Sequence, residues 1–121
     1  MSDGYFTRRG HAFKCAWQGV VHLFRKEEHA RIHLLAAACV ILFAIIFQCS
    51  ATEWCLLLLC IGGVLMGEGF NTAIEALSDK VCRERHPLIK VAKDVAAGAV
   101  LIFAAITVAV GLIIFIPKFI G

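Results

Sequence analysis

The chain has 121 residues, a formal net charge of +3 and a hydrophobic fraction of 60%. Soluble domains are about 45–50% apolar, so this composition and a mean hydropathy of +0.83 exclude an ordinary soluble fold and indicate a membrane protein. The length suits one domain, residues 1–121. Two prolines in the whole chain favour a few long helices, and the predicted fold class is all-α.

The N-terminal segment carries charges throughout, unlike a signal peptide. Apolar side chains recur at helical spacing between basic ones, as at Phe13, Trp17, Val20 and Phe24. This pattern predicts an amphipathic helix over about residues 5–26 that lies on the inner leaflet of the membrane.

Three apolar segments follow, each long enough to cross a hydrocarbon core of ~30 Å. The predicted spans are residues 31–49, 53–79 and 89–116. Thr52 is a candidate cap for the second helix. Pro87 is expected in a surface loop over residues 81–88, and Pro117 is expected to close the third span.

Basic residues concentrate before the first span and between the second and third spans, and Lys118 is the exception. Cytoplasmic segments of membrane proteins carry an excess of lysine and arginine. We therefore expect the N-terminal segment and the second loop to face the cytoplasm, and residues 48–53 and the C-terminus to lie outside.

Polar side chains continue the second span along one helical face: Glu68, Asn71, Thr72, Glu75 and Asp79. A carboxylate that faces lipid is costly, so intramembrane acidic residues indicate function. Glu68 lies about 10 Å nearer the membrane centre than Glu75. The deeper position suits Glu68 to accept a proton, and the position nearer the surface suits Glu75 to hold a divalent cation. Three short helices offer little cover for Glu68, and we expect an oligomer.

A second polar cluster, Lys90, Lys93 and Asp94, begins the third span. The N-terminus of a helix and a lysine ammonium group both favour phosphate. No phosphate-binding glycine loop occurs in the chain, so side chains and helix ends must bind any nucleotide. These patterns leave open phosphoryl transfer to a lipid, proton-coupled transport and a regulatory membrane subunit.

Charged residues also precede the first span. Glu27 or Glu28 could lend a carboxylate to the same cation. His29 and His33, four residues apart, could bind zinc, but no further ligand spacing supports a zinc site.

Two stretches resemble a known family. EGFNTAIEA at residues 68–76, with Asp79, and AKDVAAGAVL at residues 92–101 look like the small prokaryotic diacylglycerol kinases, a family that includes the undecaprenol kinases. The resemblance spans nearly the whole chain. It implies a homotrimeric kinase of the bacterial inner membrane, with ATP, Mg²⁺ and a membrane lipid at a site shared between neighbouring subunits on the cytoplasmic side. No nucleic-acid partner is expected.

The resemblance also implies residue roles. Glu68 matches the general base, and Glu75 matches a metal ligand. Glu27 matches a second metal ligand if Arg31 marks the register, with Glu28 one step away. Residues matched to ATP binding are Arg8, Glu27, Glu75, Glu84, Arg85, His86, Lys93 and Asp94. Residues matched to the acceptor side of the site are Arg8, Glu68, Asn71, Asp79 and Ala97.

Two departures bear on substrates. Cys15 stands where enterobacterial members carry a tyrosine near the nucleotide. RIHL at residues 31–34 and HPL at residues 86–88 are similar to Gram-positive members, many of them like undecaprenol kinases. Undecaprenol is therefore favoured as acceptor. Diacylglycerol is the alternative, and a non-catalytic membrane subunit is the alternative from another class.

Overall fold

The computed structural model of the chain describes residues 2–121, and its side chains from residue 4 onward. This part is 91% helical and contains no strand. The helices are α1 (Ser2–Lys26), α2 (Glu28–Ile46), α3 (Ala51–Val81) and α4 (Pro87–Ile120). The last three are long and apolar enough to cross a membrane. An all-α membrane fold with three spanning helices and an N-terminal helix is thus confirmed. The bounds of the bilayer along each helix, and the single-domain assignment, stay predictions.

Helix α1 is joined to α2 through one non-helical residue, Glu27. Arg31 Nη1 donates to the Arg25 carbonyl oxygen at 2.7 Å and so satisfies the end of α1. Phe13 and Trp17 are 74% and 62% exposed. These apolar side chains find no cover within the described bundle, and the position of α1 on the membrane surface stays a prediction.

The turn after α2 is a Schellman motif. Cys49 N donates to the Ala44 carbonyl oxygen at 3.0 Å, and Gln48 N donates to that of Ile45 at 3.2 Å. Gln48 has a φ of 53°, the left-handed conformation that glycine usually provides at this position. Cys49 packs against the small core that contains Ala44, Leu57 and Ile114.

Helix α3 begins with a capping box formed by Ser50 and Glu53. Glu53 N donates to Ser50 Oγ at 3.2 Å, and Ser50 N donates to Glu53 Oε1 at 2.9 Å. The prediction of Thr52 as the cap is wrong, because Ser50, two residues earlier, forms a Ser-x-x-Glu capping box that satisfies two backbone donors. Lys118 Nζ, 3.0 Å from Glu53 Oε1, ties the end of α4 to this corner.

Helix α4 extends beyond the predicted span, residues 89–116, at both ends, and it includes both prolines. His86 is its N-cap, with Nδ1 accepting from Leu88 N at 3.1 Å, and Pro87 is the first helical residue. A proline suits this position because the first N–H of a helix has no partner anyway. Pro117 lies inside the last turns, where it removes a single backbone donor, and α4 continues to Ile120.

Helices α3 and α4 pack closely because small residues line their contact. A Cβ at Gly63 would overlap the ring of Phe103, and a Cβ at Gly67 would lie 3.4 Å from Val100 Cγ2. Small residues let membrane helices approach in this way. At the opposite end, a small core joins the three long helices through Ala44, Leu57 and Ile114. The close α3–α4 contact places Glu68, next to Gly67, against α4.

Candidate active site

Two clefts lie at the end of the bundle that carries the α3–α4 connection. The loop cleft, of about 680 Å³, is lined by Asp79, Cys82, Arg83, Glu84, Arg85, His86, Pro87, Ile89, Lys90, Lys93 and Asp94. The carboxylate cleft, of about 660 Å³, is lined by His29, His33, Glu68, Asn71, Glu75, Asp94, Ala97, Gly98, Val100, Leu101 and Ala104. Both volumes fall within the range of about 300–1,000 Å³ typical of ligand sites. Asp94 lines both clefts, which therefore adjoin.

Glu68 is the buried acid of the carboxylate cleft, with 6% of its surface exposed. Its Oε1 lies 3.3 Å from Nε2 of His33 on α2. Burial of a carboxylate is costly without a partner of this kind. The expectation that a single chain leaves Glu68 uncovered is wrong, because the close approach of α4 at Gly67 and the arrival of α2 cover it. Its burial alone therefore gives no argument for an oligomer.

Asn71 and Glu75 form the next turn of the same face. Asn71 Nδ2 donates to Glu75 Oε1 at 3.3 Å, and both residues are half-buried. Asn71 Oδ1 is buried and finds no hydrogen-bond partner among the described residues. The carboxylate of Glu75 is thus oriented by a neutral amide, and its charge stays available to a cation.

The loop cleft contains two lysine–aspartate pairs. Lys93 Nζ lies 2.5 Å from Asp79 Oδ1, and Lys90 Nζ lies 2.6 Å from Asp94 Oδ2. The first pair joins α4 to α3, and the second lies within α4. Exposed ion pairs of this type are weak, so an anionic ligand can compete for both ammonium groups. His86 also lines the cleft, with Nδ1 already engaged as the cap of α4.

The clefts divide most of the predicted site residues between them. The loop cleft brings together Asp79, Glu84, Arg85, His86, Lys93 and Asp94, and the carboxylate cleft brings together Glu68, Asn71, Glu75, Asp94 and Ala97. Arg8 and Glu27 line neither cleft. Arg8 is exposed on α1 and donates through Nε to the Gly4 carbonyl oxygen at 3.1 Å, and Glu27 is the half-buried N-cap of α2.

His33 is the site residue that the sequence patterns did not identify. Its spacing from His29 indicates that both face one way, and both line the carboxylate cleft. That spacing alone indicates at most a zinc pair, because the partner, Glu68, lies on another helix. Within residues 4–121, no group of three or more histidine, cysteine or acidic side chains is placed to hold a metal ion.

Three membrane helices around a buried carboxylate, beside a cleft with exchangeable lysines, define a membrane-embedded site suited to acid–base chemistry on phosphates. Residues 14–115 match the prokaryotic diacylglycerol kinase family, and the chain belongs to that family.

The similar proteins are named for two different lipid acceptors, undecaprenol and diacylglycerol. The chain is 41% identical to the undecaprenol kinase of Bacillus subtilis over 107 residues, 88% of this chain and 87% of that protein. It is 37% identical to a diacylglycerol kinase of Synechocystis over 107 residues, 88% of this chain and 61% of the relative. It is 38% identical to a diacylglycerol kinase of Pseudomonas aeruginosa over 90 residues, 74% of this chain and 72% of the relative. The chain is therefore an ATP-dependent membrane lipid kinase.

Proposed function

We propose that this protein transfers the γ-phosphate of ATP to the hydroxyl group of undecaprenol, at the cytoplasmic face of a bacterial inner membrane. The observation that carries the proposal is the pair of adjoining clefts: a buried carboxylate lies in one, exchangeable lysines lie in the other, and Asp94 lines both. Undecaprenol is the acceptor named for the 41% identical relative, and the Gram-positive-like RIHL and HPL stretches agree with it. Diacylglycerol is the competing acceptor, because the other relatives carry that name.

Glu68 is the general base in this proposal. The lipid hydroxyl enters the carboxylate cleft from the membrane, and Glu68 accepts its proton as the hydroxyl oxygen attacks the γ-phosphorus and ADP leaves. Glu68 lies in the part of the site enclosed by helices. An apolar lipid therefore meets its base without leaving the bilayer.

ATP is proposed to occupy the loop cleft. The ammonium group of Lys93 leaves its ion pair with Asp79 and binds a phosphate oxygen of ATP instead. There it supplies positive charge where negative charge accumulates on the phosphates during transfer. The residues at 84–86 and Asp94 contact the nucleotide from the α3–α4 connection and the start of α4. Because Asp94 lines both clefts, the γ-phosphate end of ATP is proposed to lie toward Glu75 and Glu68.

The donor set fits Mg²⁺ that arrives with ATP. Mg²⁺ prefers oxygen ligands and is commonly held by one or two carboxylates together with substrate phosphates, so a preformed cage of three acidic groups is not needed. Glu75, which accepts a hydrogen bond from the neutral amide of Asn71, is the proposed ligand in the cleft. Glu27 or Glu28 is the second. When bound, the ion offsets negative charge on the phosphates.

A homotrimer with shared sites is also proposed. Helix α1 carries Arg8 on an exposed stretch away from both clefts of its own chain. In an oligomer this stretch can reach a neighbour, which would bring Arg8 to a site where the family resemblance expects it. Cross-linking in membranes, followed by mass analysis, tests the number of subunits.

The decisive experiment measures transfer of labelled γ-phosphate from ATP by purified protein in mixed micelles, with undecaprenol and diacylglycerol offered separately and together. We expect faster labelling of undecaprenol and no labelling when EDTA removes Mg²⁺. Glu68→Gln should lower turnover about 10²–10⁴-fold, the usual contribution of a general base. Glu53→Gln, at the opposite end of the bundle, is the matched control and should keep wild-type turnover.

Each part of the proposal has its own opposing result. Faster labelling of diacylglycerol would replace the acceptor. Wild-type turnover in folded Glu68→Gln would remove the base assignment. For the metal, Glu27→Gln and Glu28→Gln are compared by titration with Mg²⁺, and the ligand is the residue whose loss raises the Mg²⁺ concentration needed for half-maximal rate.

A further inference from the structure

His33 is the side chain of α2 that reaches the buried acid of α3. Its Nε2 lies 3.3 Å from Glu68 Oε1, and its side chain is 29% exposed while that of Glu68 is 9% exposed. The two atoms are in contact but not aligned as a hydrogen bond, and catalytic hydrogen bonds in substrate-free sites are often poorly aligned and tighten when the substrate binds. His33 is thus placed to fix one oxygen of Glu68.

The other groups around the carboxylate cleft do not replace this contact. The titratable side chains that line it are His29 and His33 from α2, Glu68 and Glu75 from α3, and Asp94 from α4, and α1 contributes none of the lining residues. Glu75 is bonded to Asn71, and Asp94 is paired with Lys90. Two of these groups are acids and would repel Glu68, so a donor to its carboxylate must come from α2.

We propose that His33 is a positioning residue for the kinase reaction: its ring N–H holds Oε1 of Glu68, which leaves Oε2 free to accept the proton of the lipid hydroxyl. The inference rests on the proposed role of Glu68 as the base. A base oriented by a third group is a recurrent arrangement, because rotation of the base would otherwise misplace the accepting atom. His33 itself does not touch the reacting atoms in this arrangement.

The test compares His33→Leu, which keeps bulk but removes the donor, with His33→Gln, whose amide N–H can donate. We expect kcat of His33→Leu to fall about 10- to 100-fold, the scale for loss of a partner that orients a reacting group. The KM for ATP should change little. His33→Gln should recover most of kcat.

His22→Gln is the matched control, because His22 is an exposed histidine of α1 that lines neither cleft. Thermal unfolding in detergent checks that every variant is folded. If His33→Leu does not fold, His33→Gln is compared with His22→Gln: a low kcat in His33→Gln alone contradicts positioning by a neutral N–H donor. Retention of the wild-type values in both variants supports it.

Failure of this inference is distinguishable from failure of the base assignment. Glu68→Gln is assayed in the same micelles. If Glu68→Gln keeps wild-type turnover, the base assignment falls and the role of His33 falls with it. If Glu68→Gln is inactive while His33→Leu keeps the wild-type kcat, Glu68 remains the base and the positioning role of His33 alone is overturned.

Discussion

Replacement of Gly63 by alanine tests whether the close α3–α4 contact holds the site together. A Cβ at Gly63 would overlap two carbon atoms of the Phe103 ring and approach a third at 3.0 Å. Such overpacking costs about 1–3 kcal/mol. Because Phe103 is 37% exposed, its ring can turn outward, and we expect the lower part of that range, about 1–2 kcal/mol.

Gly62 provides the matched control. It is exposed, and a Cβ there meets nothing within 4 Å. Both substitutions exchange glycine for alanine in the same helix, which gains about 0.5–1 kcal/mol in each case. The difference in free energy of unfolding between Gly63→Ala and Gly62→Ala therefore isolates the overlap with Phe103. It is measured by equilibrium unfolding in micelles at increasing SDS, followed by circular dichroism.

A double variant makes the test specific to the contact. Gly63→Ala with Phe103→Leu should recover at least about 0.5 kcal/mol relative to the sum of the single effects, as expected for residues in contact. The reasoning is refuted if Gly63→Ala is as stable as Gly62→Ala, or if the two effects simply add. Kinase activity measured in the same samples shows whether a displaced α4 also displaces Asp94 from the carboxylate cleft.

Two further predictions concern the turn after α2 and the loop cleft. Gln48→Gly should raise the free energy of unfolding by about 0.5–1 kcal/mol in the same SDS titration, since glycine adopts the φ of 53° without a Cβ clash. Gln48→Ala retains a Cβ, and an equal gain in stability from it would contradict this steric explanation. Lys93→Gln should raise the KM for ATP about tenfold, the effect of one lost charge-assisted bond. Lys80→Gln, in the last turn of α3 but outside both clefts, should leave that KM unchanged. Equal KM values for the two variants would remove Lys93 from the nucleotide site.

Local patterns were sufficient for the fold class and for much of the candidate site. Apolar length predicts the three membrane helices, and a period of 3.6 residues places Glu68, Asn71 and Glu75 on one face, which the structure shows in one cleft. These features could be predicted because each depends only on residues within one helix. The family resemblance also depends on local sequence, at residues 68–76 and 92–101.

Helix ends and turns were harder to predict, because the sequence offers near-equal alternatives there. Ser50 and Thr52 are both acceptable caps, and the reciprocal bond from Glu53 selects Ser50. Gln48 provides no glycine-like signal for the left-handed turn residue it becomes. Pro87 begins α4, and Pro117 lies inside the same helix without ending it, so a proline alone does not mark a helix boundary.

Contacts between helices were decided only by the tertiary structure. His33 and Glu68 lie 35 positions apart on different helices, and no spacing rule relates them. The burial of Glu68 within a single chain depends on how closely α4 approaches, which Gly67 permits through the absence of a side chain. The sequence by itself therefore determined which groups face the site along each helix, because helical geometry is local. Which groups from different helices meet there was decided by packing, because packing depends on the shapes of all three helices at once.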